Sequence, residues 1–160
     1  MPLDGLREAV DSDSWALMAL IGACWAEYPG CIVDFAGEYP EVLAPASQYR
    51  AAGGALWVLP EGEWIAASIG LAAGHDQPVE LVKLYVAKHR RGRGLGQALV
   101  GYVEGQARER GASGIELWSD TRFHDAHRLY ERLGYRPTGA TRELHDLSET
   151  TEYAFHKSLA

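Results

Sequence analysis

The fold is decided by residues 79–96, which read VELVKLYVAKHRRGRGLG. The first part, residues 79–87, is rich in β-branched and other apolar residues, and this pattern predicts a core strand. Apolar residues then recur at every fourth position from Leu95 to Ala107, which predicts an amphipathic helix over 94–110. The segment therefore predicts a strand, a glycine-rich loop and a helix that follow one another directly.

The glycine-rich loop has the features of a phosphate-binding site. Glycine lacks a Cβ atom, so the backbone can approach a ligand closely. The N–H groups at the start of a helix have no partner within the helix and lie at the positive end of its dipole, so they bind anions. Five basic residues also lie within eleven positions that contain no acidic residue: Lys83, Lys88, Arg90, Arg91 and Arg93. The alternative is a flexible turn with solubilising charges, but the agreement of strand, glycines and helix favours phosphate binding.

The loop does not match two common phosphate-binding motifs. It lacks the Gly-Lys-Ser/Thr ending of a P-loop, and its glycines at 92, 94 and 96 depart from the G-x-G-x-x-G dinucleotide fingerprint.

Length and composition are those of an ordinary globular domain. The chain has 160 residues, of which 47% are hydrophobic and 23% charged, so a single domain over residues 1–160 is expected. Two cysteines exclude a disulfide scaffold. The longest apolar run, residues 15–26, is shorter than the roughly 20 residues of a membrane span, and the amino terminus lacks a basic signal-peptide region. We therefore expect a soluble cytoplasmic protein with no membrane partner.

The charge is unevenly distributed along the chain. The formal net charge is -7, which argues against a nucleic-acid partner. Residues 1–63 hold ten acidic and two basic residues, a net of -8, whereas residues 64–160 hold twelve acidic and thirteen basic residues, a net of +1. This asymmetry predicts that the basic loop meets an anionic ligand and the acidic region a cationic one.

The other elements alternate between strands and helices. Helices are expected from the capping residues 11–14 to about residue 28, over 40–52 and over 123–133. Strands are expected at 5–10, 55–59, 64–71, 115–118, 135–138 and 152–159, with a hairpin turn at 60–63. This order predicts an α/β fold with a mixed, mostly antiparallel central sheet flanked by helices and a central βαβ unit.

Two motifs resemble those of the GCN5-related N-acetyltransferase (GNAT) superfamily. Residues 91–96, RGRGLG, fit its R/Q-x-x-G-x-G/A motif, and residues 126–135, AHRLYERLGY, resemble its second signature, a helix that ends in Leu-Tyr-Glu-x-Leu-Gly-aromatic. The motifs occur in the family's order, about 35 residues apart, and the resemblance covers roughly residues 5–159. It implies a single-domain GNAT-like fold and direct transfer of an acetyl group from acetyl-CoA to a primary amine of a small molecule or peptide, with no metal.

The resemblance also implies a cofactor site. The N–H groups of the glycine loop would hold the pyrophosphate of acetyl-CoA, and the backbone of Leu84 and Val86 would pair with the pantetheine arm. Lys88 or Arg91 would meet the 3′-phosphate. The complete implied set is Leu84, Val86, Lys88, Arg91, Gly92, Arg93, Gly94, Leu95 and Gly96.

Two side chains are implied in catalysis. Tyr130 stands at the family's general-acid position, and a phenol with a pKa near 10 can protonate a thiolate; the alternative is an aromatic packing residue. Glu80 stands near the point where members often place a basic carboxylate, acting directly or through water; the alternative is an exposed charge at a strand end. The Val86 N–H is implied as the oxyanion donor.

The acceptor amine and the partners are less constrained. Trp25, Glu27 and Tyr28 combine aromatic faces with a carboxylate, which suits a cationic acceptor; the alternative is a hydrophobic helix end beside a solvated loop. Phe123 stands where many family members have Asn, and Lys88 where many have Pro. The departure at Phe123 supports an alternative function, a non-catalytic CoA-binding sensor or scaffold. The apolar run at 15–26 and the late strands are candidate homodimer surfaces.

Overall fold

A computed structural model describes residues 2–74, 77 and 79–160. Seven strands form one sheet: β1 Arg7–Glu8, β2 Ala55–Glu61, β3 Trp64–Ala73, β4 Val79–Val86, β5 Gly114–Asp120, β6 Arg136–Glu143 and β7 Thr151–Ser158. Their spatial order is β1-β2-β3-β4-β5-β7-β6. The β4–β5 pair is parallel and the other pairs are antiparallel. The predicted mixed sheet with a central βαβ unit is therefore confirmed.

Helices cover both faces of the sheet. They are α1 Ser14–Trp25, α2 Phe35–Glu38, α3 Pro45–Ala51, α4 Leu95–Glu109 and α5 His124–Arg132, and short 3-10 turns lie at Asp11–Asp13, Pro40–Val42 and Lys88–Arg90. One core lies between the sheet and α4 and includes Leu99, Val103, Ile69 and Leu117. The other lies under α1 and includes Leu17, Ile21, Leu56 and Val58.

The apolar run in α1 serves the core of the chain itself. Leu17, Leu20 and Ile21 are buried, whereas Trp15 remains 80% exposed. Among the described residues, no helix combines the length and apolar character required to cross a membrane. A homodimer surface here stays a prediction.

Two segments differ from the sequence-based expectation. The helix expected over 40–52 is interrupted, because a residue before proline avoids the helical conformation and Ala44, ahead of Pro45, is not helical. The hairpin turn is shorter than expected. Strand β2 continues through Pro60 with a register shift between Leu59 and Pro60, since a bulge tolerates the missing N–H of proline.

The two parallel strands separate towards their carboxyl ends. In the described part of the chain, β4 pairs with β5 only at Val79–Ile115 and Glu80–Glu116. Beyond that point β4 continues along β3, while β5 pairs with β7 from Gly114 to Asp120. The carboxyl ends of parallel strands are the usual place for a ligand. The divergence leaves a gap there in the middle of the sheet.

A β-bulge marks the same part of β4. The register with β3 shifts between Ser68 and Gly70, and Lys83 has a φ of 54°. The hydroxyl of Ser68 donates a hydrogen bond to the carbonyl oxygen of Lys83 at 2.7 Å, and the Lys83 ammonium lies 3.0 Å from the Glu41 carboxylate. Bulges re-aim side chains, and they occur often beside functional sites. This one sets the direction of the last residues of β4.

Candidate functional site

Two cavities meet at the carboxyl end of β4. The first, which we call the loop cavity, has a volume of about 320 Å³ and is lined by residues 90–92 and 94–97 together with the end of α1 and one face of α5. The second, which we call the sheet cavity, has a volume of about 110 Å³ and lies over β4 and β5. Four residues line both cavities: Leu84, Tyr85, Phe123 and Ala126. A reaction between a ligand in each cavity would take place beside these four residues.

The glycine loop forms an open cradle at the start of α4. Gly92 and Gly94 have φ values of 75° and 79°, and a Cβ atom on either would meet no other atom within 4 Å. The first hydrogen bond of α4 runs from the Ala98 N–H to the Gly94 carbonyl, so the N–H groups of the preceding turn have no acceptor in the helix. Leu95 and Gly96 line the loop cavity. The cradle therefore presents backbone donors to open space.

The edge of β4 also presents a donor to the gap. The Ala87 N–H donates to the Ala66 carbonyl at 2.8 Å, and Val86 is the Cα partner of Ala67. Because the ladder bonds of an antiparallel pair alternate, the N–H of Val86 points away from β3 and towards the gap.

The basic residues of the loop differ in their partners. Arg91 forms two hydrogen bonds to Glu27, at 2.8 and 2.7 Å, and its Nε donates to the Val86 carbonyl at 2.9 Å. These hydrogen bonds to the carboxylate raise the pKa of Arg91 and lower the pKa of Glu27. Arg90 pairs with Glu61 of the β2–β3 hairpin. Lys88 and Arg93 form no ion pair with any described residue, but the described lining of the loop cavity includes Arg90 and Arg91 rather than these two.

The sheet cavity has aromatic and acidic walls. Two of its carboxylates are each paired with an arginine. Asp120 accepts hydrogen bonds from Arg122 at 2.8 and 2.9 Å, and Glu152 accepts one from Arg142 at 2.7 Å. The aromatic walls are Trp25, Tyr39 and Trp118. The cavity therefore combines ring faces with carboxylates that are already paired with arginines, and Lys83 also lines it.

Two loops from distant parts of the chain join at the border of the sheet cavity. The Ile32 N–H donates to the Ser148 hydroxyl oxygen at 2.7 Å, and that hydroxyl donates to the Ile32 carbonyl at 3.2 Å. The Leu147 N–H donates to the Glu38 carboxylate at 3.2 Å. Cys31 and Ser148 line the cavity. The α1–α2 loop and the β6–β7 loop thus form one continuous wall.

Tyr130 lies in the wall of the sheet cavity. It is 6% exposed and packs against the rings of Tyr135 and Phe155, at centroid distances of 5.9 Å in both cases. Burial raises the pKa of its hydroxyl above the ordinary value, and the nearby Tyr85 contributes in the same direction. Tyr130 therefore holds its proton throughout the neutral pH range.

The structure separates the three residues predicted for the acceptor. Trp25 lines the sheet cavity, whereas Tyr28 lines the loop cavity and packs against Phe123 at a centroid distance of 4.7 Å. Glu27 is engaged with Arg91. Phe123, which stands where the family often has Asn, thus provides an apolar contact between the end of α1 and α5.

Glu80 lies away from the meeting point of the cavities. It pairs with Glu116 where β4 and β5 are still joined, and it belongs to the described lining of neither cavity. Five residues separate it from Tyr85, which corresponds to roughly 16 Å along a strand.

Sequence reasoning did not select several residues of the sheet cavity, namely Trp118, Ser119, Asp120, Thr150 and Glu152. Trp118, Ser119 and Asp120 could have been predicted, because they end β5. Polar residues at the carboxyl end of a strand parallel to β4 are expected at the same edge of the sheet as the end of β4. The segment 148–152 carried no local signal.

Taken together, the fold and the site are similar to those of acetyltransferases. A family model described as the acetyltransferase (GNAT) family matches residues 17–135. The chain is similar to the aminoalkylphosphonate N-acetyltransferase of Salmonella typhimurium, with 31% identity over 147 residues that cover 85% of this chain and 87% of the relative. The chain belongs to the GNAT family of acetyltransferases.

Other similarities agree with this assignment. The probable N-acetyltransferase family 8 member 5 of mouse is 32% identical over 101 residues, which cover 60% of this chain but only 44% of the relative, so the chain spans less than half of that protein. A GNAT-family acetyltransferase from Staphylococcus aureus superposes with a TM-score of 0.78 at 21% identity, over 97% of this chain and 98% of that one. The putative acetyltransferase yncA from Salmonella typhimurium, solved with its cofactor acetyl-CoA, has a TM-score of 0.71 at 17% identity, over 97% and 93%. These two likenesses concern the fold.

Proposed function

We propose that this protein transfers an acetyl group from acetyl-CoA to a primary amine of a small molecule or peptide. The observation that carries the proposal is the meeting of the loop cavity and the sheet cavity at the end of β4, where that strand has separated from β5. In the reaction, the amine nitrogen bonds to the thioester carbon and the carbon–sulfur bond breaks.

The residues of the loop cavity fit CoA. The open positions at Gly92 and Gly94 leave room for the pyrophosphate beside the unpaired N–H groups of α4. The backbone of Leu84 and Val86 faces the gap in the sheet, where the pantetheine arm would extend as an added strand. Lys88 is the proposed partner of the 3′-phosphate, because Arg91 is already bound to Glu27. When it is bound there, acetyl-CoA would supply the activated acetyl group.

Three groups of the chain are proposed to act on the reaction. The Val86 N–H donates to the carbonyl oxygen as negative charge develops there. The buried Tyr130 hydroxyl donates its proton to the departing thiolate sulfur. If Glu80 is the base, it must act through water, since its distance along β4 excludes direct contact with an amine beside Tyr85.

The acceptor is proposed to be cationic. An alkylammonium in the sheet cavity would meet the ring of Trp25, which attracts a cation. It would also meet the carboxylates of Asp120 and Glu152, which keep free acceptor positions beside their arginine partners. The bacterial relative is named for an aminoalkylphosphonate acceptor. An aminoalkylphosphonate is therefore included among the amines to be tested, beside diamines, simple alkylamines and a peptide with a free amino terminus.

The test measures thiol release with acetyl-CoA and this set of amines. Transfer to at least one amine, together with an increase in the melting temperature on addition of CoA, is the expected result. Binding of CoA without release of thiol for any amine would instead indicate a non-catalytic CoA-binding module. Absence of both effects would contradict CoA binding itself.

A further inference from the structure

Among the described residues that line both cavities, Tyr85 is the only one with a polar side chain. Its three companions there, Leu84, Phe123 and Ala126, have purely hydrocarbon side chains. Tyr130 lines the sheet cavity but not the loop cavity. If the donor occupies the loop cavity and the amine the sheet cavity, the new bond forms beside the four shared residues. Tyr85 then provides the one side-chain hydroxyl at that point.

The Tyr85 hydroxyl is held in a defined orientation. The indole N–H of Trp25 donates a hydrogen bond to its oxygen at 3.0 Å. Because that bond occupies a lone pair of the oxygen, the hydroxyl hydrogen must point elsewhere, and no acceptor for it lies within hydrogen-bond distance in the described part of the chain. A donor fixed by one neighbour and without an acceptor of its own is suited to a ligand oxygen.

The hydroxyl also keeps its proton. Burial is the main cause that raises the pKa of Tyr85, to about 12, although the Lys83 ammonium and the hydrogen bond from Trp25 act in the opposite direction. A phenol in this state is a hydrogen-bond donor over the whole physiological pH range. It is therefore not suited to act as a base.

We infer that the Tyr85 hydroxyl donates a hydrogen bond to the carbonyl oxygen of the acetyl group as the amine attacks, and is a catalytic residue of this enzyme beside the Val86 N–H. The inference rests on the proposed function. When the nitrogen–carbon bond forms, the carbonyl electron pair moves to oxygen. When the carbon–sulfur bond breaks, that pair restores the carbonyl and the sulfur takes the proton of Tyr130. The attacking nitrogen releases one proton to water, and Tyr130 regains its proton from water. Tyr85 keeps its own proton throughout and stabilises the charge on oxygen.

The test is Tyr85→Phe, which removes the hydroxyl and leaves the ring. Loss of one oxyanion donor typically lowers kcat about 10²-fold or more, and this loss is expected here with an unchanged Kd for acetyl-CoA and an unchanged KM for the amine. Tyr102→Phe is the matched control. Tyr102 lies on α4, packs against Trp57 of β2 and is in the described lining of neither cavity. Its kcat is expected to stay within twofold of that of the wild type.

The outcomes separate this inference from the proposed function. A wild-type protein that binds acetyl-CoA but acetylates no amine overturns both. An active wild type with a Tyr85→Phe variant whose kcat is within threefold overturns only the role of Tyr85, as does a change confined to KM. If Tyr85→Phe does not fold, Trp25→Phe decides the question, because it keeps the hydroxyl but removes the group that orients it. A severalfold lower kcat supports the inference, because weaker binding of the amine by the altered ring would change KM instead. An unchanged kcat, or a change confined to KM, overturns it.

Discussion

Gly94→Ala separates the conformational role of the glycine loop from its role in binding. Gly94 has a φ of 79°, and a methyl group there would contact nothing in the protein. Without CoA, the substitution therefore lowers the free energy of unfolding only through the backbone conformation, by about 1–2 kcal/mol for a left-handed alanine. The lower entropy of the unfolded alanine chain offsets part of this loss, which leaves a net decrease of about 1 kcal/mol. For a chain of this length, 1 kcal/mol corresponds to a decrease of about 2–4 °C in Tm.

The effect on CoA binding is expected to be larger. The added methyl group points into the space proposed for the pyrophosphate, and loss of one hydrogen bond to a charged group costs about 1.5–3 kcal/mol. The Kd for CoA should therefore increase about 10- to 100-fold. At a CoA concentration 100 times the wild-type Kd, stabilisation by the ligand would decrease from about 2.7 kcal/mol to as little as about 0.4 kcal/mol. Thermal melts with and without CoA measure both quantities.

Gly101→Ala is the matched control for this experiment. Gly101 lies inside α4, and its added methyl group also meets no neighbour. Its φ is not in the left-handed region, so alanine should stabilise the helix by about 0.5–1 kcal/mol and leave CoA binding unchanged. Equal Kd values for Gly94→Ala and the wild type would refute the assignment of the loop to the pyrophosphate. Equal losses of affinity in both variants would refute it as well.

Four further predictions concern other parts of the molecule. Tyr130→Phe should lower kcat about 10²–10⁴-fold in the thiol-release assay, with little change in the Kd for acetyl-CoA, if the phenol is the general acid. Glu27→Gln should destabilise the protein by up to about 1 kcal/mol at pH 7 in urea unfolding, the range for a partly exposed ion pair, since the side chains of Glu27 and Arg91 are 30% and 40% exposed. Because Arg91 lowers the folded-state pKa of Glu27, the difference should be constant above the ordinary pKa of about 4.3 and disappear as the pH falls through the lower, folded-state value; a difference that persists at pH 2 would contradict this pair. Leu99→Ala removes a fully buried side chain of α4 and should cost about 2–5 kcal/mol in the same unfolding experiment. If Glu80 is a base that acts through water, Glu80→Gln should change the acidic limb of the pH profile of kcat/KM. An unchanged acidic limb would exclude Glu80 from the mechanism.

Local sequence patterns predicted most of the helices and strands. The period of apolar residues in α4, the β-branched residues of β4 and the glycines of the loop each act within a few neighbouring positions. Such signals are readable because they reflect the geometry of one helix or strand. The exceptions were local as well. Pro45 divided an expected helix, and Pro60 was accommodated inside a strand by a bulge rather than in the turn.

The candidate site was only partly predictable for the opposite reason. Arg91 was one of two cations expected at the 3′-phosphate, and that role stays a prediction. Its hydrogen bonds to Glu27, which is 64 positions away, had no signal in the sequence. Ser148 borders the sheet cavity through a bond to Ile32, 116 positions away. Contacts of this kind depend on how the whole chain closes, and no short window of sequence specifies them.

The sequence by itself determined that a glycine cradle joins a core strand to an amphipathic helix, and that a tyrosine-bearing helix follows about 35 residues later. Those features suffice to indicate an anionic cofactor, because backbone donors at a helix terminus are a local property. Only the tertiary structure decided where β4 separates from β5, which loop cations stay unpaired, and that Trp25, Tyr85 and Tyr130 line one cavity. These features depend on packing between elements that are distant in the sequence, because close-packed buried neighbours fix the position of each side chain.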